Sequence, residues 1–340
     1  MNIPYRTQQK LKRAGIVALA VLVAAVLAGL FWFMWLERFV VYTRNEGAVL
    51  DTNLPENLPE GQLASPPQYP TDVPIYYNEG ENAINASQEL VQLVGYYADA
   101  TALRKDIGAV MTQVKDLPAN TPVMVDVKNP KGAFFYTTPI TTYRDKGIDP
   151  VKMDELIAYL GSSNLYTIAR LPALRNYIYG VDHVSDGLDA RGGYLWADAD
   201  YCYWLDPTSQ GTLTHLIQIV SELKALGFDE VVFDEFRFPD TDKIVFKGDR
   251  TEAIAKAAST LVSTCATNTF TLSFVSTKPD FPLPEGRCRL YLKDIAAIDA
   301  EATAAATGLA EPAIRLVYLT EVHDTRFDIC SVLRPLEAAH

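Results

Sequence analysis

The sequence predicts a parallel (β/α)8 barrel, the TIM-barrel architecture, over residues 89–340, carried behind a single N-terminal transmembrane helix. Three observations predict it. Short buried-strand runs alternate with helical runs seven or eight times, the pattern of repeated βα units in a parallel sheet. Several strand runs end in charged residues, on the rim where such a barrel keeps its chemistry. No glycine-rich dinucleotide fingerprint follows the first strand, where Gly95-Tyr96-Tyr97-Ala98-Asp99 stands instead, so an open doubly wound sheet fits less well.

The units run as follows. Val91–Tyr97 precedes a helix over Thr101–Lys115, and Pro122–Val127 precedes a helix that opens at Asp149-Pro150, an N-cap followed by proline at the first helical position. Leu165–Leu171 leads into a long excursion, after which Asp206-Pro207-Thr208 reads as the next helix start, with Asp206 as its cap. Glu230–Phe236 precedes the helix Arg250–Thr264. Phe270–Val275 and Arg289–Leu292 come next, then an alanine-rich helix over Ile295–Thr307. Ile314–Thr320 is the seventh strand, and Phe327–Val332, the weakest in pattern, the eighth.

Ahead of the barrel, residues 1–13 carry Arg6, Lys10, Lys12 and Arg13 and no acid. Ala14–Leu36 is then 23 residues without a charge, closing in Phe31-Trp32-Phe33-Met34-Trp35. That length spans a bilayer, and the aromatics suit its far interface. The basic flank keeps the N-terminus in the cytoplasm and predicts a cell-membrane protein with an extracytoplasmic barrel. A cleaved signal peptide is the rival, with Val26-Leu27-Ala28 as its cleavage site, but eight more apolar residues follow. Residues 37–88 form a spacer with Pro55, Pro59, Pro66, Pro67, Pro70 and Pro74 and little aliphatic content, too little to bury a core.

Outside the membrane, 26 of the 30 Lys and Arg face all 42 acids, a formal charge of −16. No basic stripe is left to neutralise phosphates, so nucleic acid is excluded as a partner, and a neutral or cationic substrate fits better. Cys202, Cys265, Cys288 and Cys330 match no zinc spacing. In an oxidising compartment they allow two disulfides, Cys265–Cys288 being the favoured pair, or four buried thiols. His183, His215, His323 and His340 show no metal-ligand spacing, and no metal or cofactor is implied. The absence of a Gly-x-Ser-x-Gly elbow removes the common serine hydrolase.

The chemistry concentrates in Leu226–Pro239. Gly227 stops a helix, Val231, Val232 and Phe233 make a buried strand, and Asp234, Glu235 and Arg237 stand where it ends. Other strand ends carry Asp126 with Lys128, Arg170, and Glu321. If the barrel closes, these converge on one rim as a concave, carboxylate-rich site. A salt-bridged rim that only locks the barrel mouth is the plainer alternative. Strand alternation places Glu235 and Arg237 on one face and Asp234 on the other, so Asp234 and Arg237 can meet only if the strand ends or bulges between them.

These residues also carry a resemblance. Val125-Asp126-Val127-Lys128 with Gly132, Thr167-Ile168-Ala169-Arg170, Gly192-Gly193-Tyr194-Leu195-Trp196, Trp204-Leu205-Asp206-Pro207 and Leu226-Gly227-Phe228-Asp229-Glu230 with Phe233-Asp234 and Arg237-Phe238-Pro239 resemble the bacterial "putative glycosyl hydrolase domain" family. Its members are TIM barrels related to the α-amylase-like barrels. The likeness covers about residues 93–240 and fades beyond Thr277. Asp234 and Arg237 are the pair it carries over. The family more often has an aromatic where Glu235 stands.

Glycosidic cleavage needs one carboxyl group to protonate the leaving oxygen and one carboxylate to attack or to activate water. Asp234, Asp126, Glu235 and Glu321 are the candidates, with Asp234 favoured by the resemblance and Glu235 its rival. Lys128, Arg170 and Arg237 are candidate substrate-binding or charge-setting partners. The excursion holds Tyr177, Tyr179, Tyr194, Trp196, Tyr201, Tyr203 and Trp204 within 28 residues. Such rings suit the CH-rich faces of sugars, or else they form the loop's own small core. Trp196 and Tyr201 are expected to be exposed, and Trp204 joins them as a candidate substrate contact. The sequence thus predicts a membrane-anchored glycoside hydrolase acting on a polysaccharide or oligosaccharide, with a non-catalytic carbohydrate-binding or scaffolding barrel as the alternative.

Overall fold

The computed structural model describes residues 40–43, 47–50 and 90–336. The N-terminal segment 1–13, the expected anchor 14–36 and most of the spacer 37–88 lie outside the described residues. Within that spacer, Val40–Thr43 and Gly47–Leu50 pair as a small antiparallel hairpin. Among the described residues no helix is long and apolar enough to cross a membrane.

Eight parallel strands close a barrel. They are β1 (Val94–Ala98), β2 (Pro122–Asp126), β3 (Tyr166–Pro172), β4 (Glu230–Asp234), β5 (Thr271–Ser276), β6 (Leu290–Lys293), β7 (Leu316–Leu319) and β8 (Ser331–Pro335). Each pairs with the next in sequence, and β8 returns to β1 with Val332 opposite Val94. The expected eighth strand exists, set a few residues later than its pattern suggested. The longer helices are α1 (Ala100–Lys115), α2 (Pro150–Ser162), α3 (Gln210–Ala225), α4 (Arg250–Cys265) and α5 (Ala300–Ala306).

Helix starts follow the capping chemistry. Asp99, Asp149 and Asp249 accept from the amides of Ala102, Val151 and Glu252, each satisfying a donor the helix leaves unpaired. At α3 the cap is Ser209, not Asp206. Asp206 instead accepts from Thr208 N at 2.8 Å and Thr208 Oγ1 at 2.6 Å, forming a turn that sets the helix start back. The alanine-rich helix is shorter than expected, because a 3-10 turn over Ala297–Asp299 takes its first residues.

Two cores follow from strand alternation. Outward residues such as Val123, Val125, Val231 and Phe233 pack under the helices. Inward residues Leu93, Met124, Ile168, Val232, Val275, Tyr291, Val317 and Leu333 fill the barrel. Gly95 has no room for a side chain, since a Cβ there would lie 2.1 Å from Pro122 O. Towards the N-terminal end the fill turns polar. Fully buried Glu230 takes Arg289 at 2.6 Å, Tyr166 at 2.8 Å, Ser273 at 2.5 Å and Tyr291 at 3.0 Å. A buried carboxylate is tolerable only when it is this fully satisfied. On the outside of β1, Val94 and Tyr96 remain 57% and 37% exposed, and no helix follows β8 among the described residues.

The four cysteines are buried and free, which corrects the favoured Cys265–Cys288 pairing. Cys288 Sγ lies 3.2 Å from Pro284 O and 3.3 Å from the Arg315 guanidinium. Burial pushes the Cys265 thiol up to about 12. A core of this size holds without covalent staples.

Candidate active site

The alternation that places Met124, Ile168, Val232 and Tyr291 inside the barrel carries Asp126, Arg170, Asp234 and Lys293 to the luminal side of its C-terminal rim. They form two ion pairs of alternating sign. Arg170 grips Asp126 with Nε at 2.6 Å and Nη2 at 3.0 Å, and Ala100 N, at the start of α1, adds a third donor at 2.8 Å. Lys293 Nζ reaches both oxygens of Asp234, at 2.9 and 3.0 Å. Burial works against the Arg170 charge, but Asp126, and beyond it Asp234, more than restores it. Tyr97 lies beneath, its ring 5.9 Å from the Arg170 guanidinium. Its hydroxyl is pushed up by burial and then by Glu321, so the tip of β7 bears on the same space.

The backbone separates Asp234 and Glu235 in space. The strand ends at Asp234, and Glu235 turns into the left-handed region at φ 50°, an unusual place for a residue with a Cβ. Its amide donates to Asp234 Oδ1 at 2.8 Å. Its carboxylate leaves the lumen and pairs with Arg237 at 2.8 Å. The strand does end between Asp234 and Arg237, yet the two do not pair: Arg237 takes Glu235, with which alternation grouped it. Each acid has its own cation, Lys293 for Asp234 and Arg237 for Glu235.

Lys128 is not on the open rim. It is 2% exposed, its Nζ donates to Pro172 O at 2.8 Å, and it faces the Phe134 ring. Burial pulls its ammonium down to about 7. Glu321 is exposed on the loop after β7, and no cation pairs with it among the described residues.

The excursion uses its aromatics both ways. Tyr179 stacks between His183 and His215, each 4.0 Å away, and its hydroxyl donates to Asp186 at 2.9 Å: that is a loop core. Tyr201 is 80% exposed, Trp196 is half-buried, and Trp204 is buried apart from its place in a cavity of about 380 Å3. The cavity is lined by Trp196, Trp204, Glu235, Arg237 and Asp240, and by Arg175 with its partners Asp198 and Asp200. Arg175 bonds the two acids at 2.6 Å each. Burial opposes the Asp198 charge, but Arg175, the Cys202 amide and the Trp204 indole N–H outweigh it and hold the carboxyl down to about 2. Among the described residues no group of acids, histidines and cysteines could hold a metal ion.

Sequence reasoning missed Lys293, Tyr97 and Arg175. Lys293 was findable: it follows the apolar run Leu290-Tyr291-Leu292 at the same offset as Asp126 and Asp234 on their strands. Arg175 gives no such signal, because its partners come from a loop whose path the sequence does not specify.

Comparison with known proteins identifies the family. The model of the family described as "putative glycosyl hydrolase domain" matches residues 95–272. The match takes in Asp126, Arg170 and Asp234 and stops before Lys293 and Glu321. No curated protein matches the sequence. Among solved structures, an alpha-galactosidase from Lactobacillus brevis is similar at a TM-score of 0.53 and 11% identity, over 75% of this chain and 39% of that one. The chain thus spans about two fifths of that enzyme, a likeness of fold. The glycoside hydrolase domain of PelA from Pseudomonas aeruginosa gives 0.41 at 12% identity, over 69% and 85%. A hypothetical protein from Ruminiclostridium thermocellum gives 0.45 at 20% identity, over 53% and 96%. With its family model matched over more than half its length, the chain belongs to the "putative glycosyl hydrolase domain" family.

Proposed function

We propose that this protein hydrolyses glycosidic bonds in a polysaccharide, with Asp234 as the carboxylate that attacks or activates water and Glu321 as the proton donor. The observation that carries the proposal is the Asp126–Arg170 and Asp234–Lys293 pairing on the luminal rim. Cleavage needs two carboxyl groups in opposite protonation states. Both oxygens of Asp234 accept from the Lys293 ammonium, which orients it as nucleophile or base. The donor must then be a second carboxyl group, and Glu321 is the one of the four candidate acids without a cation partner among the described residues. Asp126 is less available for chemistry, because its three donors sit on a guanidinium fork and a helix start. Asp234 is held by one lysine, whose flexible stem lets the ammonium move as charge shifts.

The substrate would lie across the rim with a sugar face against Trp196, and Tyr201 further out. Residues 14–36 would hold the barrel outside the cytoplasmic membrane, where polysaccharide is found. A non-catalytic carbohydrate-binding barrel is the second reading, favoured by one observation: three of the rim acids already have their charge balanced within the protein. Screening the protein against a polysaccharide panel for new reducing ends tests the first. Retention of a glycan without new ends, unchanged in Asp234→Asn, would establish the second. A reporter fused after residue 340 tests the topology, and a cytoplasmic signal rejects the anchor.

A further inference from the structure

The cavity beside the rim has a chemistry of its own. Its volume of about 380 Å3 is at the small end of ligand pockets. Two indoles wall it, Trp196 and Trp204, their rings 6.5 Å apart and tilted by 54°. Four carboxylates line it against two guanidiniums. Both guanidiniums are already engaged, Arg175 by Asp198 and Asp200 and Arg237 by Glu235. Asp240, exposed at the mouth, has no ionic partner among the described residues. Asp200 has a side chain 74% exposed. The lining therefore keeps two negative charges in excess, on the solvent side of an aromatic wall. A second observation shows what this wall holds. The Arg237 guanidinium lies 5.1 Å over the Trp204 ring while paired with Glu235 at 2.8 Å, so a cation is already seated between an indole and a carboxylate.

We propose that this cavity is a subsite for an amine-bearing sugar, a hexosamine unit with a free ammonium, adjacent to the bond that is cut. The inference rests on the hydrolase reading above and narrows its substrate class. A neutral sugar would use only the rings. A uronic acid or phosphorylated sugar would meet the excess charge and be repelled. A free amine adds attraction to Asp200 and Asp240 while its ring stacks on Trp196.

The test uses the full-length chain in detergent and two probes that differ only at nitrogen, a β-1,4-linked glucosamine hexamer and its fully N-acetylated counterpart. Calorimetry at low salt should show the amine form binding about fivefold more tightly, as an added contact between a cation and exposed carboxylates supplies. The gap should close at high salt. The double variant Asp200→Asn/Asp240→Asn should lose the preference but keep the acetylated affinity and any turnover of uncharged glycan. Trp196→Ala should weaken both probes. Equal affinities, tighter binding of the acetylated form, no binding of either, or a preference that survives the double variant would each overturn the proposal. The two readings fail separately. Hydrolysis of uncharged glycan without amine preference removes the subsite and leaves the hydrolase. Amine preference with no glycan hydrolysed removes the hydrolase and leaves a binding cavity.

Discussion

Lys293 meets both oxygens of Asp234 across the barrel mouth, joining the tips of two strands that are not neighbours. That single ammonium is the counter-charge of the proposed nucleophile or base. Lys293→Met removes it while keeping most of the stem. With its counter-charge gone, the carboxylate loses the contact that orients it, so kcat should fall more than substrate affinity. An unchanged kcat would mean that Lys293 only packs the rim.

Asp234→Asn keeps size and hydrogen bonding but cannot attack or accept a proton. Turnover should fall at least about a hundredfold, with binding nearly intact. Glu235→Gln should change turnover little, because that carboxylate points to Arg237 and away from the lumen. The reverse pattern in steady-state kinetics would assign the chemistry to Glu235 and refute the proposed roles.

Glu235→Gly tests the left-handed turn itself. Glycine relieves a strain of about 1 kcal/mol, while the half-exposed pair with Arg237 is worth less than that. Thermal melting should show a slightly more stable protein, by a few degrees at most.

Lys128 should make stability depend on pH. Its ammonium titrates at about 7 in the folded protein because burial disfavours the charge, and near the usual lysine value once unfolded. Between these values the unfolded chain binds more protons, so stability rises with pH through that window. Below about 7 both states are protonated, the slope vanishes and the folded state carries the full penalty. Lys128→Met should flatten the rise and stabilise the protein at pH 6, as read from denaturant midpoints, provided Pro172 O finds water in place of its donor.

Trp196→Ala should raise KM more than it lowers kcat, since a stacking face contributes to ground-state and transition-state binding alike. Tyr201→Ala, further out, should have the smaller effect. A fall in kcat alone would place Trp196 nearer the reacting atoms than the cavity does.

The barrel was legible because its signals are local and repeated: apolar runs, capping acids and strand tips. Ser209 took the cap from Asp206 because two oxygen acceptors compete within four residues, and the turn geometry decides between them. Asp126, Arg170 and Asp234 were legible as strand ends, but the lysine that partners Asp234 was not. Alternation correctly put Asp234 and Glu235 on opposite sides. It could not say that β4 stops at Asp234, or that a lysine some sixty residues on would be its counter-charge. Those facts belong to tertiary closure, as does the path of the aromatic excursion.

The exposed outer face of β1 bears on how the molecule assembles. Leu93 N donates to Ser331 Oγ across 238 positions of sequence, so the seam between the first and last strands is the most non-local junction in the barrel. Its entropy of closure is recovered only after the intervening strands have paired. Helices cover other seams from outside, whereas Val94 and Tyr96 stand open beside this one. The ring is therefore expected to close last at β8–β1, the seam beside Tyr97. Amide exchange would begin there. Loosening at that seam would reach Glu321 through β8 and Asp126 through β1, while Asp234 on β4 lies further round the ring, so the proposed proton donor belongs to the breathing side of the barrel and the proposed nucleophile to its rigid side.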